Sequence, residues 1–288
     1  MKLQRRHKII IIIAAIIFIG GSAALISYYH HADKSLKIFF LNVGQGDAML
    51  IRTPAHQNIL IDGGPDNSIL TKLSYYLPWF CRRLDIVILT HPHADHLIGL
   101  IEVLKRYNIK KIIGTNLEYR DANYDAFLNI AKNKNIYLTP TYYGQTINLG
   151  QDCFLKILSP LTPDKINKFT NLNNASIVGQ LDCEKIKTLF TGDIDNASAK
   201  KIYENNIDLN SDILKVSHHG SKEGNSFDFL SHINAKIAVI EVGAKNKFGH
   251  PNQESLDSLE KLATKIWRTD IDGDISFIIK NGLISIKN

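Results

Sequence analysis

Six consecutive residues, His91-Pro92-His93-Ala94-Asp95-His96, carry four side chains able to bind a metal ion. Neutral imidazoles offer nitrogen and Asp95 an anionic oxygen, a mixture that suits zinc, or manganese and iron when more oxygen ligands join. The four fall into two nested pairs, His91 with His93 and Asp95 with His96, and this nesting suggests two adjacent ions rather than one. The plainer reading is a histidine-rich surface loop or histidines satisfied in a core. Four polar side chains in one tight turn would then each need a separate partner.

Two ions need further ligands, and strand ends offer them. Asp193, in Thr191-Gly192-Asp193 after the apolar residues 188–190, has two oxygens and is the natural ligand to share between ions. Its ordinary role would be a turn aspartate or a helix cap before Ser198. His218 and His219 follow the apolar run 213–216. His218, nearer the strand end, is expected to bind metal, with His219 structural and behind it. Asp62, in Leu60-Ile61-Asp62-Gly63-Gly64, is expected to orient a ligating imidazole rather than to bind metal itself.

These side chains need strands and helices to aim them. Apolar runs predict strands over 38–43, 48–52, 59–61 and 86–89, so the histidine loop leaves a buried strand. Gly44-Gln45-Gly46-Asp47 lies between the first two strands as a glycine turn. Helices are expected within 68–77 and over 97–106, where apolar residues recur at helical spacing. A strand at 111–113 and a helix near 124–131 complete a first half. The second half repeats the rhythm: strands at 153–158, 177–181, 188–191, 213–216 and 238–242, with helices at 198–204, 227–233 and 253–262. Short strands at 275–279 and 283–286 close the chain. Strand groups interleaved with helices suggest two packed sheets with helices on their outer faces.

The 288 residues, 44% apolar and 22% charged, have an ordinary globular composition. The exception is the start, where Lys2, Arg5, Arg6 and Lys8 precede residues 9–27, a stretch without charge. As a helix it would reach roughly 28 Å, close to the thickness of a bilayer's hydrocarbon core. The basic flank places the amino terminus in the cytoplasm. The expected organisation is therefore a stub, anchor and linker over 1–35 and a domain over 36–288 held outside the cytoplasm in a single-pass membrane protein. A cleaved signal peptide stays open, because Ser22, Ala23 and Ala24 offer small residues, and the domain would then be secreted. A buried core helix would show polar residues on one side, and this run has none. Of the six net positive charges, four belong to the amino-terminal stub, leaving two for the rest, too few to argue nucleic-acid binding from charge. Cys81, Cys153 and Cys183 form no paired ligand spacing. Buried thiols are the first expectation, and a Cys153–Cys183 bridge outside the cell stays open.

At this point the residues resemble the hydrolases of the metallo-β-lactamase fold: the tetrad, Asp62-Gly63-Gly64, Asp193 and His218 align with that family's motifs. More narrowly, residues 40–47, 90–96, 214–221 and 242–251 resemble the carboxy-terminal hydrolase domain of the ComEC competence proteins. The resemblance implies an α/β fold, an αββα sandwich, with two divalent ions, zinc or manganese, at one edge between the sheets. Many relatives place another histidine between the tetrad and the bridging aspartate, yet 97–192 contains none. The loop 171–176 stands in its place, where Asn173 or Asn174 would supply an amide oxygen or hold a water near the substrate. ComEC proteins also carry many membrane spans forming a DNA channel, which this chain, with at most one span, cannot form.

A water held between two divalent ions becomes a hydroxide near neutral pH and would attack phosphorus in line. The ions also offset the charge building on phosphate oxygens, so phosphodiester hydrolysis suits the site. Asp95 or Asp193 would accept the water's proton. His250, in the ComEC-like Gly249-His250-Pro251, would bind the phosphate or protonate the leaving oxygen, unless it is a plain loop histidine. Lys215 and Lys222 flank the metal loop as candidate phosphate contacts, although solvated lysines are the ordinary explanation. The expected function is an extracytoplasmic phosphodiesterase or nuclease, with DNA among the substrates and the membrane as partner through the anchor. Two alternatives stay open: a cell-envelope phosphodiesterase of phosphorylcholine or teichoic-acid type, and a non-catalytic membrane-anchored binding module.

Overall fold

The computed structural model describes residues 2–30, 33–79, 81–115, 117–162 and 171–287. The chain divides into two compact units, Met1–Lys34 and Ser35–Asn288. The first contains α1 (Lys2–His30). Within it Arg6–Leu25 is, among the described residues, the one helix segment long and apolar enough to cross a membrane, and none of it is buried in protein. Of the linker expected to run to residue 35, His31 and Ala32 lie outside the described residues.

The second unit opens with β1 (Leu36–Phe40), β2 (Met49–Arg52), β3 (Asn58–Ile61), α2 (Ser68–Tyr76), β4 (Arg83–Ile88), α3 (Ala94–Arg106) and β5 (Asn108–Gly114). Next come α4 (Ala122–Asn133), β6 (Leu138–Pro140), β7 (Thr146–Asn148), β8 (Phe154–Ser159), β9 (Val178–Cys183) and β10 (Ile186–Phe190). The chain continues through α5 (Asn196–Glu204), β11 (Ile213–Lys215), α6 (Phe227–Ile233) and β12 (Ile237–Ile240). It closes with α7 (Gln253–Lys261), β13 (Lys265–Arg268), α8 (Thr269–Asp272), β14 (Ile275–Lys280) and β15 (Leu283–Lys287).

Among the described residues, one sheet runs β15-β14-β1-β2-β3-β4-β5-β6 and the other β13-β12-β11-β10-β9-β8-β7. Side chains alternate across a strand, so a strand apolar at every position feeds two cores at once. In β1, Ile38 and Phe40 enter the core between the sheets, whereas Phe39 enters the core under α2, α3 and α4. In β10, Phe190 faces the inter-sheet core and Leu189 the core under α5, α6 and α7. The result is the expected αββα sandwich. Each fully buried Leu or Phe contributes about 1.5–3 kcal/mol by leaving water.

Three strands escape the sequence pattern: β6, β7 and β13. Each lies on a sheet edge and contains no buried residue, so no buried apolar run marks it. The Cys153–Cys183 bond left open by the sequence is formed, joining the start of β8 to the end of β9, with both residues buried in the inter-sheet core. Cys81 is a free thiol.

Candidate metal centre

The parallel strands β3, β4, β10, β11 and β12 end on the same side of the sandwich, and Asp62, His91, Asp193, His219 and Glu241 come after those ends. Loops beyond the carboxyl ends of parallel strands are where such sheets gather ligand-binding groups. The tetrad bridges β4 and α3. His93 caps the helix, Asp95 lies in its first turn, where the helix dipole favours a carboxylate, and Lys105 and Arg106 complement the other end. The helix docks closely because Gly63 faces it. The Gly63 amide donates to the His96 carbonyl at 2.8 Å, and a Cβ on Gly63 would stand 2.6 Å from the Leu100 amide nitrogen.

Donor atoms of Asp95, His96, Asp193 and His219 lie within 4.8 Å of one another. His96 Nε2 is 3.2 Å from Asp193 Oδ2 and 3.8 Å from Asp95 Oδ2. His219 Nε2 is 3.2 Å from Asp95 Oδ2 and 3.6 Å from Asp193 Oδ2. The other ring nitrogens are held from behind: His96 Nδ1 lies 2.8 Å from Asp62 Oδ2, and His219 Nδ1 lies 2.8 Å from the Glu241 carbonyl. A proton on each Nδ1 leaves Nε2 free to face an ion, the usual arrangement behind ligating histidines. Asp62 itself accepts the Thr90 amide at 2.8 Å and the Thr90 hydroxyl at 2.7 Å, which fixes its rotamer.

His91 and His93 stand beside this cluster, with His91 Nε2 3.1 Å from His93 Nδ1. Ser176 links the groups, since its Oγ is 3.3 Å from His91 Nδ1 and accepts the Asp193 amide at 3.1 Å. The buried Asn173 Oδ1 has no hydrogen bond, whereas Asp193 Oδ1 already faces the Lys215 ammonium at 3.5 Å. Burying an oxygen without a partner is costly, and a cation relieves it. The donor set of imidazole nitrogens and carboxylate oxygens therefore fits divalent metal ions.

Electrostatics separates the histidines. Burial opposes charge on His96, but Asp193, Asp95, Asp62 and Asp47 outweigh it and hold the imidazole well above its ordinary range. Burial likewise opposes charge on His219, and Asp193 and Asp47 push it up to about 10. His91 goes the other way, driven well down by burial and by the charge on His96. Burial also lowers His93 and His218. The Asp95 carboxyl, despite its burial, is held far below the usual range by His96 and His219.

Several of these residues stand elsewhere than expected. His219, expected behind the ligands, stands among the donor atoms. His218, expected to bind metal, sits with its Nε2 3.4 Å from Asn173 Nδ2. The cause is backbone: His218 and His219 both adopt left-handed conformations, φ 47° and 52°, so the chain turns the second ring inward. That strain is held by Asn225, which accepts the Ser217 amide and donates to the Ser217 and Ser221 carbonyls. Lys215 does not reach a phosphate, because it is wholly buried, pairs with Asp47 and donates to the Gly192 carbonyl at 3.1 Å. Asn174 is committed to Asp195, donating to its Oδ2 at 2.6 Å. Lys222 is exposed. The His250 ring centroid lies 5.6 Å from that of His218.

Sequence reasoning missed Asp47, Ser176 and Glu241, although the first had a signal. A carboxylate after a glycine turn, facing a lysine embedded in an apolar strand, is the pattern of a buried ion pair. Glu241 accepts the Ala48 amide at 3.0 Å, and burial raises its carboxyl well above the usual range.

Residues 41–243 match the family model of the metallo-beta-lactamase superfamily. ComE operon protein 3 of Bacillus subtilis is 27% identical over 264 residues, 85% of this chain and 33% of that protein. Competence protein ComA of Neisseria gonorrhoeae is 26% identical over 257 residues, 84% of this chain and 32% of that protein. The chain thus spans about a third of the length of these curated relatives. A long-form RNase Z from yeast shares the fold with a TM-score of 0.52 at 14% identity, covering 84% of this chain and 42% of the other.

Proposed function

This chain belongs to the metallo-beta-lactamase superfamily, and from that premise we propose that it is a metal-dependent phosphodiesterase of nuclease type that acts on DNA outside the cytoplasm. One observation carries the reading: four donor atoms from three separate segments of the chain converge beside His91 and His93, with the buried Asn173 Oδ1 left without a hydrogen bond. We assign Asp95, His96, Asp193 and His219 to one ion. His91 and His93 would serve a second, sharing Asp193, with Asn173 or His218 completing the set. Zinc and manganese both suit these donors. When bound, the ions would acidify a water and offset charge on phosphate oxygens.

The chain's own residues do the rest. Asp62 and the Glu241 carbonyl keep the protons of His96 and His219 on Nδ1, so both Nε2 atoms stay available. Asp95 or Asp193 takes the proton of the attacking water, and His250, its ring 5.6 Å from that of His218, would meet the phosphate or protonate the leaving oxygen. The competence relative favours DNA as the phosphodiester. A location outside the cytoplasm is supported by the Cys153–Cys183 disulfide and by the basic residues before the apolar helix.

The test is a substrate panel on the metal-loaded full chain in detergent. Hydrolysis of single-stranded DNA above that of choline-phosphate esters is expected. The reverse preference would move the assignment to a cell-envelope phosphodiester, and hydrolysis of neither would leave a binding module.

A further inference from the structure

The loop between β12 and α7 presents Phe248 to solvent, 57% exposed. An isolated surface phenylalanine needs no explanation. Here three further features surround it. Its ring stacks on His250, with centroids 6.0 Å apart and planes 19° from parallel, and His250 in turn meets His218 beside the ligand cluster. The loop is also fixed. Asn246 Oδ1 accepts the amides of Phe248 at 3.1 Å and His250 at 3.0 Å, while Asn246 Nδ2 donates to the carbonyls of Gly243 at 2.9 Å and His250 at 2.7 Å. Finally, the loop is basic. Lys245 and Lys247 are exposed, Lys247 Nζ lies 5.5 Å from the Phe248 centroid, and Lys222 joins them from the neighbouring loop, which is tied on by its amide to Asn252 Oδ1 at 2.9 Å. Across residues 221–226 and 243–251 the one carboxylate is Glu223.

An apolar ring held rigid in water gains nothing for folding. It gains when a flat partner covers it, and a fixed loop loses little entropy on doing so. We propose that Phe248, backed by His250, is a stacking platform for one nucleobase of a single-stranded nucleic acid, with Lys222, Lys245 and Lys247 drawing in the flanking phosphates. Base stacking on aromatic rings combined with a cationic rim is how single strands are held without sequence preference. A choline-phosphate headgroup would bring its quaternary ammonium to such a ring, but Lys222, Lys245 and Lys247 oppose that charge, so the cationic rim favours a strand of phosphates. The proposal rests on the phosphodiesterase reading only for the cleavage of a strand already bound.

The experiment separates binding from cleavage. Fluorescence anisotropy with a labelled oligothymidylate is measured on the full chain in detergent with chelator present, so that no turnover is needed. One series of oligonucleotides carries a single abasic residue moved along the strand. Wild type should bind the fully based strand about tenfold more tightly than the strand whose abasic residue meets Phe248. Phe248→Ala should lose that discrimination, and Phe248→Trp should keep it. Equal abasic penalties in wild type and Phe248→Ala would overturn the platform, as would an absence of oligonucleotide binding. DNA that binds with this signature but is never cleaved by the metal-loaded protein would leave the platform standing and remove the nuclease reading.

Discussion

Lys215 and Asp47 form an ion pair with neither side chain exposed to water, directly behind the carboxylate of Asp193, whose Oδ1 is 3.5 Å from the lysine Nζ. Burial works against the ammonium, yet Asp47, Asp193 and Glu241 keep it charged, pushing its affinity for the proton above the ordinary lysine range. The pair joins a loop of the first sheet to a strand of the second and so fixes where Asp193 sits.

Removing one partner leaves the other charge buried and alone. Lys215→Met should therefore destabilise the domain by about 3–5 kcal/mol in denaturant unfolding. Adding Asp47→Asn to that variant should recover part of the loss. An unfolding midpoint unchanged in Lys215→Met would mean that the pair contributes nothing.

His219 and His218 should respond differently to truncation. His219→Ala removes a donor of the four-atom cluster, so bound metal in the purified protein should fall at least tenfold. His218→Ala leaves that cluster intact and should keep one equivalent of metal. Metal analysis of the two variants decides, and equal loss in both would place the rings in equivalent roles.

The choice between these neighbouring histidines shows where sequence stops being sufficient. The tetrad is legible because its ligands are contiguous, and Asp62 and Asp193 because each comes after an apolar strand. Which of His218 and His219 turns inward depends on two left-handed backbone angles that no residue type announces. Lys215 reads as a surface cation until Asp47, far away in the chain, is seen to meet it. Edge strands such as β7, with Thr146 and Asn148 exposed, lack the apolar pattern that marks the central ones.

Metal uptake should depend on pH in a definite direction. In the ion-free pocket His219 is raised to about 10 and His96 is also raised, so both carry protons at neutral pH. An ion must displace them. Apparent affinity should rise about tenfold per pH unit for each proton displaced, from pH 6 toward 9, and loading in weak buffer should acidify the solution. Isothermal calorimetry in buffers of different ionisation enthalpy counts those protons. No proton release at pH 7 would contradict the charge balance described.

His250 approaches the ligands without joining them. His250→Ala should keep the full metal content while lowering turnover of bis-p-nitrophenyl phosphate by about 10- to 100-fold, the lower part of the range for loss of a proton-transfer group. Unchanged turnover would make it a loop histidine.

The most direct measurement is anomalous diffraction from crystals of the metal-soaked protein and of Asp193→Ala, paired with hydrolysis of bis-p-nitrophenyl phosphate by each. Anomalous density is expected between Asp95, His96, Asp193 and His219 in the wild type, and it should vanish together with hydrolysis in the variant. Density elsewhere, or hydrolysis surviving in Asp193→Ala, would contradict a reaction run from this cluster.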